Sequence, residues 1–251
     1  MSFNSITQRF AAWFLLISLL PILVIGYSLL QTFEKELRKT AAQQISAIAD
    51  KKVDQINSYL SERTHDAMVK IQGETTRQAV LAFTQAFARD GLESAAYRRL
   101  DARYRDYFRR FVTSSGFYDL FLISPQGTIV YSQTHEPDFA TNLFTGPYRN
   151  TGLGKVTRNA LRTLESGFSE FEHYAPSDQA IAAFIAVPVV NQGKVEGVLA
   201  LQIDTARVFQ VLLDDTGLGN SGETVVARQE DEHTALAMAP LKSDPDAALR
   251  R

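Results

Sequence analysis

Hydrophobic positions follow three regimes along this chain, and each predicts a different kind of element. Residues 10–30 show no period: every position is apolar or small and none is charged. At 1.5 Å per residue the run is about 30 Å long, the thickness of a hydrocarbon core. Pro21 and Gly26 lie inside it, as membrane helices tolerate. Trp13 and Tyr27 stand near its ends, where amphipathic rings favour the interface. A cleaved signal peptide has a shorter apolar core and a small-x-small cleavage site. This run leaves through Leu29-Leu-Gln-Thr-Phe33, which offers no such site, so it predicts an uncleaved anchor.

Residues 31–72 contain neither Pro nor Gly, and Ile45, Ala49, Val53, Ile56, Leu60, Ala67 and Ile71 recur at steps of three and four. That spacing is an apolar stripe on one face of a long helix. Lys51, Asp54, Glu62 and Arg63 fall on the opposite face. Such a stalk packs against its own domain, pairs with a second copy, or does both at different heights. Gly73 interrupts it. A helix resumes over 75–88, Asp90-Gly91 stops it, and Ser94 is the N-cap of the next. There Tyr97, Leu100, Tyr104, Phe108 and Phe111 form an aromatic stripe surrounded by Arg98, Arg99, Arg103, Arg105, Arg109 and Arg110. Arginines beside aromatics occur in nucleic-acid binders. Here the rings share one helical face, so the pattern predicts buried rings and solvated arginines, with no nucleic-acid partner.

From residue 119 the period shortens to two. Strands are predicted over 119–124, 129–132, and near 168–174, 181–190 and 195–204, with turns at Pro125-Gln-Gly127 and Asn191-Gln-Gly193. The first is apolar on both faces and belongs at the centre. Pro188 predicts an edge or bulge, and Gly197 a close approach or bend. Helices are predicted over 153–164, with Val156, Ala160, Leu161 and Leu164 on one side, and over 205–215, with Val208, Val211 and Leu212 inward. Two strands, a loop with a helix, then three strands make an α+β fold. Its five-stranded antiparallel sheet is flanked by helices and holds a pocket where loop and helix cover one face.

Composition adds mostly exclusions. A chain of 251 residues makes one large or two small domains, and a net charge of −2 marks it for neither nucleic acid nor acidic lipid. It has no cysteine, so disulfides, thiolate metal sites and cysteine nucleophiles are excluded. Gly217-Leu-Gly-Asn-Ser-Gly222 matches Gly-x-Gly-x-x-Gly, but a helix precedes it and a strand follows, the reverse of a dinucleotide site. His65, His135, His173 and His233 lack metal-ligand spacing. No cofactor, metal or catalytic constellation is expected within these residues. Arg9 flanks the apolar run on one side, and Lys35, Arg38 and Lys39 on the other, so the positive-inside rule counted naively would put the bulk inside. Long domains translocate largely regardless of charge.

Several short motifs follow one another in a set order: Thr141-Asn142-Leu143 with Gly146-Pro147-Tyr148, Tyr174-Ala-Pro-Ser177, and Ala183-Phe-Ile-Ala186 with Pro188. Gly197-Val-Leu-Ala-Leu-Gln-Ile-Asp204 and Gly217-Leu-Gly219 with Gly222-Glu-Thr224 complete the set. Their order resembles the double Cache sensor domain, a PAS-like family of bacterial transmembrane receptors. The resemblance implies a cytoplasmic N-terminus over 1–9, a transmembrane helix over 10–30 and a stalk and helical region over 31–115. A membrane-distal PAS-like sensor module follows over 116–215. The start of a second, truncated module spans 216–251, with strands at 223–228 and 234–239. It further implies a bacterial inner membrane, an extracytoplasmic sensor, a small-molecule ligand and a homodimer through the stalk. The rest of the module, a second membrane helix and a kinase, cyclase or chemotaxis output would lie outside this chain. The rival reading is a membrane-anchored binding protein with no output of its own; a tethered hydrolase is a third.

The pocket of such a module lies between sheet and covering loop. Position in it selects Tyr131, Asp138, Asn142, Tyr148, Arg149, Tyr174 and Phe184. Asn142 and Tyr148 would give directed hydrogen bonds, Arg149 would clamp a carboxylate, and Tyr131, Tyr174 and Phe184 would form walls. Plain core packing remains open for the aromatics, a turn role for Asn142 and a solvated surface position for Arg149. Amino-acid-binding members of the family carry Arg-x-Trp-Tyr in this loop. Tyr148-Arg-Asn-Thr151 replaces it here, so amino-acid binding does not carry over.

Overall fold

The computed structural model describes residues 6–249, and of residues 6–9, 11, 12, 71 and 72 the backbone only. Residues 1–5 of the expected cytoplasmic N-terminus, the flanking Arg9 side chain and the side chain of Ile71 lie outside the described atoms. The chain divides into two compact units, residues 1–51 and 52–251.

The first unit is helical, the N-terminal part of α1, which runs over Ile6–Gln72 with Pro21 inside it. It is the one helix among the described residues long and apolar enough to cross a membrane. Trp13, Phe14, Ile17, Leu23 and Tyr27 are each more than 60% exposed to the surroundings. An exposed apolar surface of that extent marks a face that meets another protein or a membrane.

The second unit begins at Lys52 and is built on a five-stranded antiparallel sheet in the order β2-β1-β7-β6-β3. These strands span Phe117–Ile123 (β1), Ile129–Ser132 (β2), Gly167–Phe168 (β3), Phe184–Asn191 (β6) and Lys194–Ile203 (β7). The predicted strand near 168–174 is split, because Glu172–Tyr174 (β4) leaves the sheet and pairs instead with Ala180–Ala182 (β5). Pro188 sits on β6 beyond the end of two-residue β3, so its missing N–H faces no neighbour, and the register shifts at Val189 and Val190. Gly197 is a close approach: a Cβ there would collide with the carbonyl oxygen of Ile123.

Both sheet faces are buried. Leu120, Leu122, Tyr131, Ile185, Val187, Leu199 and Leu201 point toward α2 (Glu74–Asp90) and α3 (Ala95–Ser115). Ser94 caps α3 as predicted, accepting from the Tyr97 N–H at 3.1 Å. The stripe Tyr97, Tyr104 and Phe108 is buried, while Arg98, Arg99, Arg103, Arg109 and Arg110 are exposed. Arg105 departs from that pattern: it is half-buried, paired with Asp101 and bonded to the Gln133 carbonyl. Phe121, Ile123, Ile129, Phe184, Ala186, Val198 and Ala200 point the other way, toward α4 (Gly152–Thr163). Leu164, expected on the inner side of that helix, is its left-handed C-cap and is 51% exposed.

The stalk stripe holds at Ile56, Leu60 and Ala67, takes in Lys52 and Arg63, and loses Val53. Within the second unit Lys52 and Ala67 are buried, Ile56, Tyr59 and Leu60 half-buried, and Val53 exposed. Arg63, expected on the wet face, lies over the rings of Tyr59 and Phe117 with its side chain 11% exposed. Its long stem covers apolar surface while its head reaches Glu62 and Asp66. After α5 (Thr205–Leu213) comes a short hairpin, Ala227–Gln229 (β8) with Ala235–Ala237 (β9). The expected strands at 223–228 and 234–239 shrink to these three-residue pieces.

Candidate functional site

The lid over the second sheet face is the loop from Gln133 to Thr151. It hangs from a buried carboxylate. Asp119 Oδ1 accepts from the N–H groups of Leu120, Gln133 and Thr134, and Oδ2 from the hydroxyls of Ser132 and Thr134. Burial nevertheless raises its pKa to about 6. Further along, the lid runs beside β2 like an extra edge: Ile129 N–H donates to Thr141 O at 2.9 Å, and Ala140 N–H to Ile129 O at 3.2 Å.

Asn142 fixes the next bend. Its Nδ2 donates to Gln126 O and Thr128 Oγ1, and its Oδ1 accepts from the N–H groups of Phe144 and Thr145. All of these bonds are internal to the loops, which is the turn role. Arg149 is exposed at the outer turn; its N–H donates to Gly146 O and its carbonyl accepts from Arg158. Arg158, on α4, is the clamp that the sequence reading did not single out. It donates to Leu143 O at 3.0 Å and Arg149 O at 2.7 Å, tying both limbs of the lid to the helix. The lid passes so near α4 that a Cβ on Gly154 would stand 2.9 Å from Tyr148 O.

Four of the selected residues come together in this layer, Asp138 and Tyr148 from the lid itself and Tyr174 and Phe184 beneath it. Tyr174, fully buried, donates its hydroxyl to Asp138 Oδ2 at 2.5 Å. Its ring meets Phe184 edge-on at 4.8 Å and lies 6.5 Å from Tyr148. Tyr131 does not join them. It is paired in register with Leu122 and so shares Leu122's face, toward α2 and α3, where it packs on Phe83 and Phe108. The cause is that β2 is buried on both sides, so alternation alone does not say which side is which.

Around the four runs a chain of polar groups. Gln202, on the lid face of β7, donates to Ser177 Oγ at 3.2 Å. Ser177 donates to Glu136 Oε2 and Tyr118 to Glu136 Oε1, each at 2.6 Å. Asp138 is pushed up to about 6, mainly by burial and further by Glu136, against the lowering effect of the Tyr174 hydroxyl. Six buried polar side-chain atoms of the described residues have no partner. Three of them, Arg63 Nε, Arg77 Nε and Thr84 Oγ1, belong to residues that are themselves partly exposed. The other three are Asp138 Oδ1, Thr157 Oγ1 and Gln202 Oε1, on residues 0, 0 and 3% exposed. Asp138 is in the lid, Thr157 in α4 and Gln202 on the lid face of the sheet. An orphaned buried polar group costs about 1–3 kcal/mol, so three in one layer need an explanation. Gln202 was legible as the one polar residue in the inward series Val198, Ala200, Gln202; Thr157 carried no such signal. The apolar filling of this layer is closed: Phe121, Leu143, Leu153 and Phe184 are all fully buried.

Residues 33–242 match the Cache domain family. Among solved structures, the sensor domain of the V. cholerae histidine kinase DctB aligns with a TM-score of 0.52 at 15% identity. The alignment covers 75% of this chain and 63% of that one, so the chain spans less than two thirds of that domain. The ligand-binding domain of the Pseudomonas aeruginosa PAO1 amino acid chemoreceptor PctC, solved in complex with GABA, aligns with a TM-score of 0.51 at 16% identity. There the coverage is 82% of this chain and 76% of that one. Comparison with curated proteins returns no match. At these identities the structural likeness speaks for the fold: a mixed α+β unit behind a long apolar N-terminal helix. The match over most of the sequence says more, and with it the chain belongs to the Cache domain family.

Proposed function

We propose that the second unit is the extracytoplasmic ligand-sensing part of a bacterial transmembrane receptor, anchored in the inner membrane by residues 10–30. In this reading residues 31–115 form stalk and support, 116–215 bind the ligand, and 216–251 open a second module. The exposed Ile45 and Val53 on the stalk support pairing with a second copy. The output is of kinase, cyclase or chemoreceptor type.

The observation that carries the reading is the set of three unpartnered atoms, Asp138 Oδ1, Thr157 Oγ1 and Gln202 Oε1, on residues at most 3% exposed, with only the nearby N–H groups of Asp138 and Phe139 also acting on the Asp138 carboxylate. Asp138 and Gln202 both offer acceptors. Glu136 adds negative charge beside Asp138. The complement is a small molecule presenting N–H or O–H donors, best of all a cation, with Tyr148, Tyr174 and Phe184 as walls. Arg149, exposed on the outer turn, does not supply the carboxylate clamp the sequence suggested. Ligand entry requires the lid to lift, and the Arg158 bonds to Leu143 and Arg149 are the ones that would part. A ligand shifts the receptor only by as much as it prefers one lid state.

The test is a thermal-shift screen of the full chain in detergent micelles. Amines, amino acids and polyols are compared with donor-free carboxylates of similar size. Donor-bearing compounds are expected to raise the melting temperature. Asp138→Asn and Gln202→Leu are expected to reduce that response at least tenfold in the concentration required. Hits that act equally on both variants, or that are all donor-free acids, would sink the reading. Asn142→Ala is expected to weaken the response less, by loosening the lid bend.

A further inference from the structure

The stalk buries a lysine whose role the ligand site does not explain. Lys52 is 6% exposed. Its Nζ donates to three main-chain carbonyls at the end of α5: Val211 O at 2.6 Å, Leu212 O at 3.3 Å and Asp214 O at 2.5 Å. A helix leaves its last four carbonyls without intrahelical partners and carries a partial negative charge at that end. A buried ammonium is expensive unless it is met by acceptors. Each group therefore answers the other's need.

One helix is thus fastened to another at a single axial position. Seven residues further along α1, the Tyr59 hydroxyl reaches Asp204 O, at the other end of α5, at 3.4 Å. Asp204 is the α5 N-cap, its carboxylate accepting from the Ala206 N–H at 3.0 Å. Between the two points Ile56 and Tyr59 pack on Val208 and Leu212, and Ala239 joins the same cluster. The apolar part of this contact would tolerate sliding. The Lys52 part would not, because a slip of one turn, about 5.4 Å, would leave the ammonium among buried apolar groups. α5 is also joined directly to the lid-side layer: Asp204 follows Gln202 by two residues, and Thr205 Oγ1 donates to Ile181 O at 3.1 Å.

We propose that Lys52 is a register pin. It is a positioning residue that sets where α5 sits along the stalk, so that displacement at the end of β7 reaches α1 at this point. The apolar packing supplies adhesion, and the three charge-assisted bonds supply the position. This inference concerns the α5–stalk contact and does not depend on which ligand the lid covers.

The absence of cysteine permits a direct test on the full chain in nanodiscs. Gln55 on the stalk and both Arg207 and Gln210 on α5 border one groove, and all three are exposed. Two double variants, Gln55→Cys with Gln210→Cys and Gln55→Cys with Arg207→Cys, report neighbouring registers through the ratio of their disulfide yields under mild oxidation. With Lys52 present one pair is expected to dominate. Lys52→Met fills the same volume without donors and is expected to shift the ratio at least threefold toward equality. Lys52→Arg, which keeps donors, is expected to restore most of the preference. Should Lys52→Met not fold, Lys52→Gln, with one amide donor group, is expected to give an intermediate ratio. A ratio unchanged in Met or Gln variants that merely melt earlier would overturn the proposal and leave Lys52 a packing residue. A ligand screen that fails while the ratio shifts leaves the pin standing.

Discussion

The two faces of the sheet are equally buried and differently satisfied. On the α2–α3 side, Phe83, Tyr97, Tyr104, Phe108 and Tyr131 interlock at centroid separations of 5.0–6.2 Å. Two of the phenols there have partners: Tyr97 donates to Val130 O and Tyr131 to Gln133 Oε1, each at 2.7 Å. On the lid side the sheet floor carries Ala186 and Ala200, the aromatics are fewer, and three polar atoms on buried residues are orphaned, against Arg77 Nε and Thr84 Oγ1 on part-exposed residues of α2. Large interlocking rings make a layer with one low-energy arrangement. Small floor residues under a loop leave a layer that gains by taking in something else. One face stabilises the domain and the other is held short of its own optimum.

The comparison breaks most visibly if a large ring is removed from the helix side. Phe108 is fully buried and touches Tyr104, Tyr107 and Tyr131. Phe108→Ala is expected to cost about 3–5 kcal/mol in urea unfolding, the range for buried Phe truncations. A cost below about 1 kcal/mol would mean this layer collapses around the gap and is not the rigid one.

The next effect depends on pH. Asp138 has a native pKa of about 6, against about 3.9 in an unfolded chain. The folded form therefore holds the proton more tightly. The stability this contributes is complete below about pH 4 and disappears as pH rises through about 6. Asp138→Asn cannot titrate and keeps an oxygen for the Tyr174 hydroxyl. A tenfold difference in proton affinity between folded and unfolded chains is worth about 1.4 kcal/mol. Relative to the wild type, Asp138→Asn is therefore expected to gain about 2–3 kcal/mol between pH 4 and pH 7. Asp119, also near 6, titrates in both proteins; the Asp138 charge adds only a minor part to its shift, behind burial, so most of its contribution cancels. Parallel stability profiles for the two proteins would remove Asp138 from the account of the lid-side face.

The sheet and its helices were readable because each rests on local signals. The apolar runs of β1 and β7, the Gly turns, the Ser94 cap and the α3 aromatic stripe all act within a few residues. What was not readable depends on which side another element approaches from. Tyr131 and Phe184 both sit on strands buried on two sides, so nothing nearby separates the face of one from that of the other. Lys52 carried no local signal, since its three acceptors come from about 160 positions later. Arg158 carried no signal either, because its acceptors, Leu143 O and Arg149 O, are main-chain atoms. Orphaned atoms are the hardest to foresee, for they are defined by what every neighbour fails to provide.

The smallest effect discriminates best between the faces, because one substitution can be made on both. Thr76 on α2 and Thr157 on α4 are each 0% exposed. Thr76 Oγ1 has the Tyr107 hydroxyl at 3.5 Å, the long limit of a bond, whereas Thr157 Oγ1 has no partner. Valine keeps the shape of threonine and removes the hydroxyl. Thr76→Val loses a weak bond and strands part of Tyr107, so it is expected to destabilise by about 0.5 kcal/mol. Thr157→Val removes an orphan from a dry site and is expected to stabilise by about 0.5–1 kcal/mol in the same urea titration. The signs matter more than the sizes. If both substitutions destabilise, Thr157 has an internal partner after all and the lid-side layer is as settled as its counterpart. If Thr157→Val stabilises and also weakens the response to donor-bearing compounds, the hydroxyl is kept at a cost in stability for the molecule it meets.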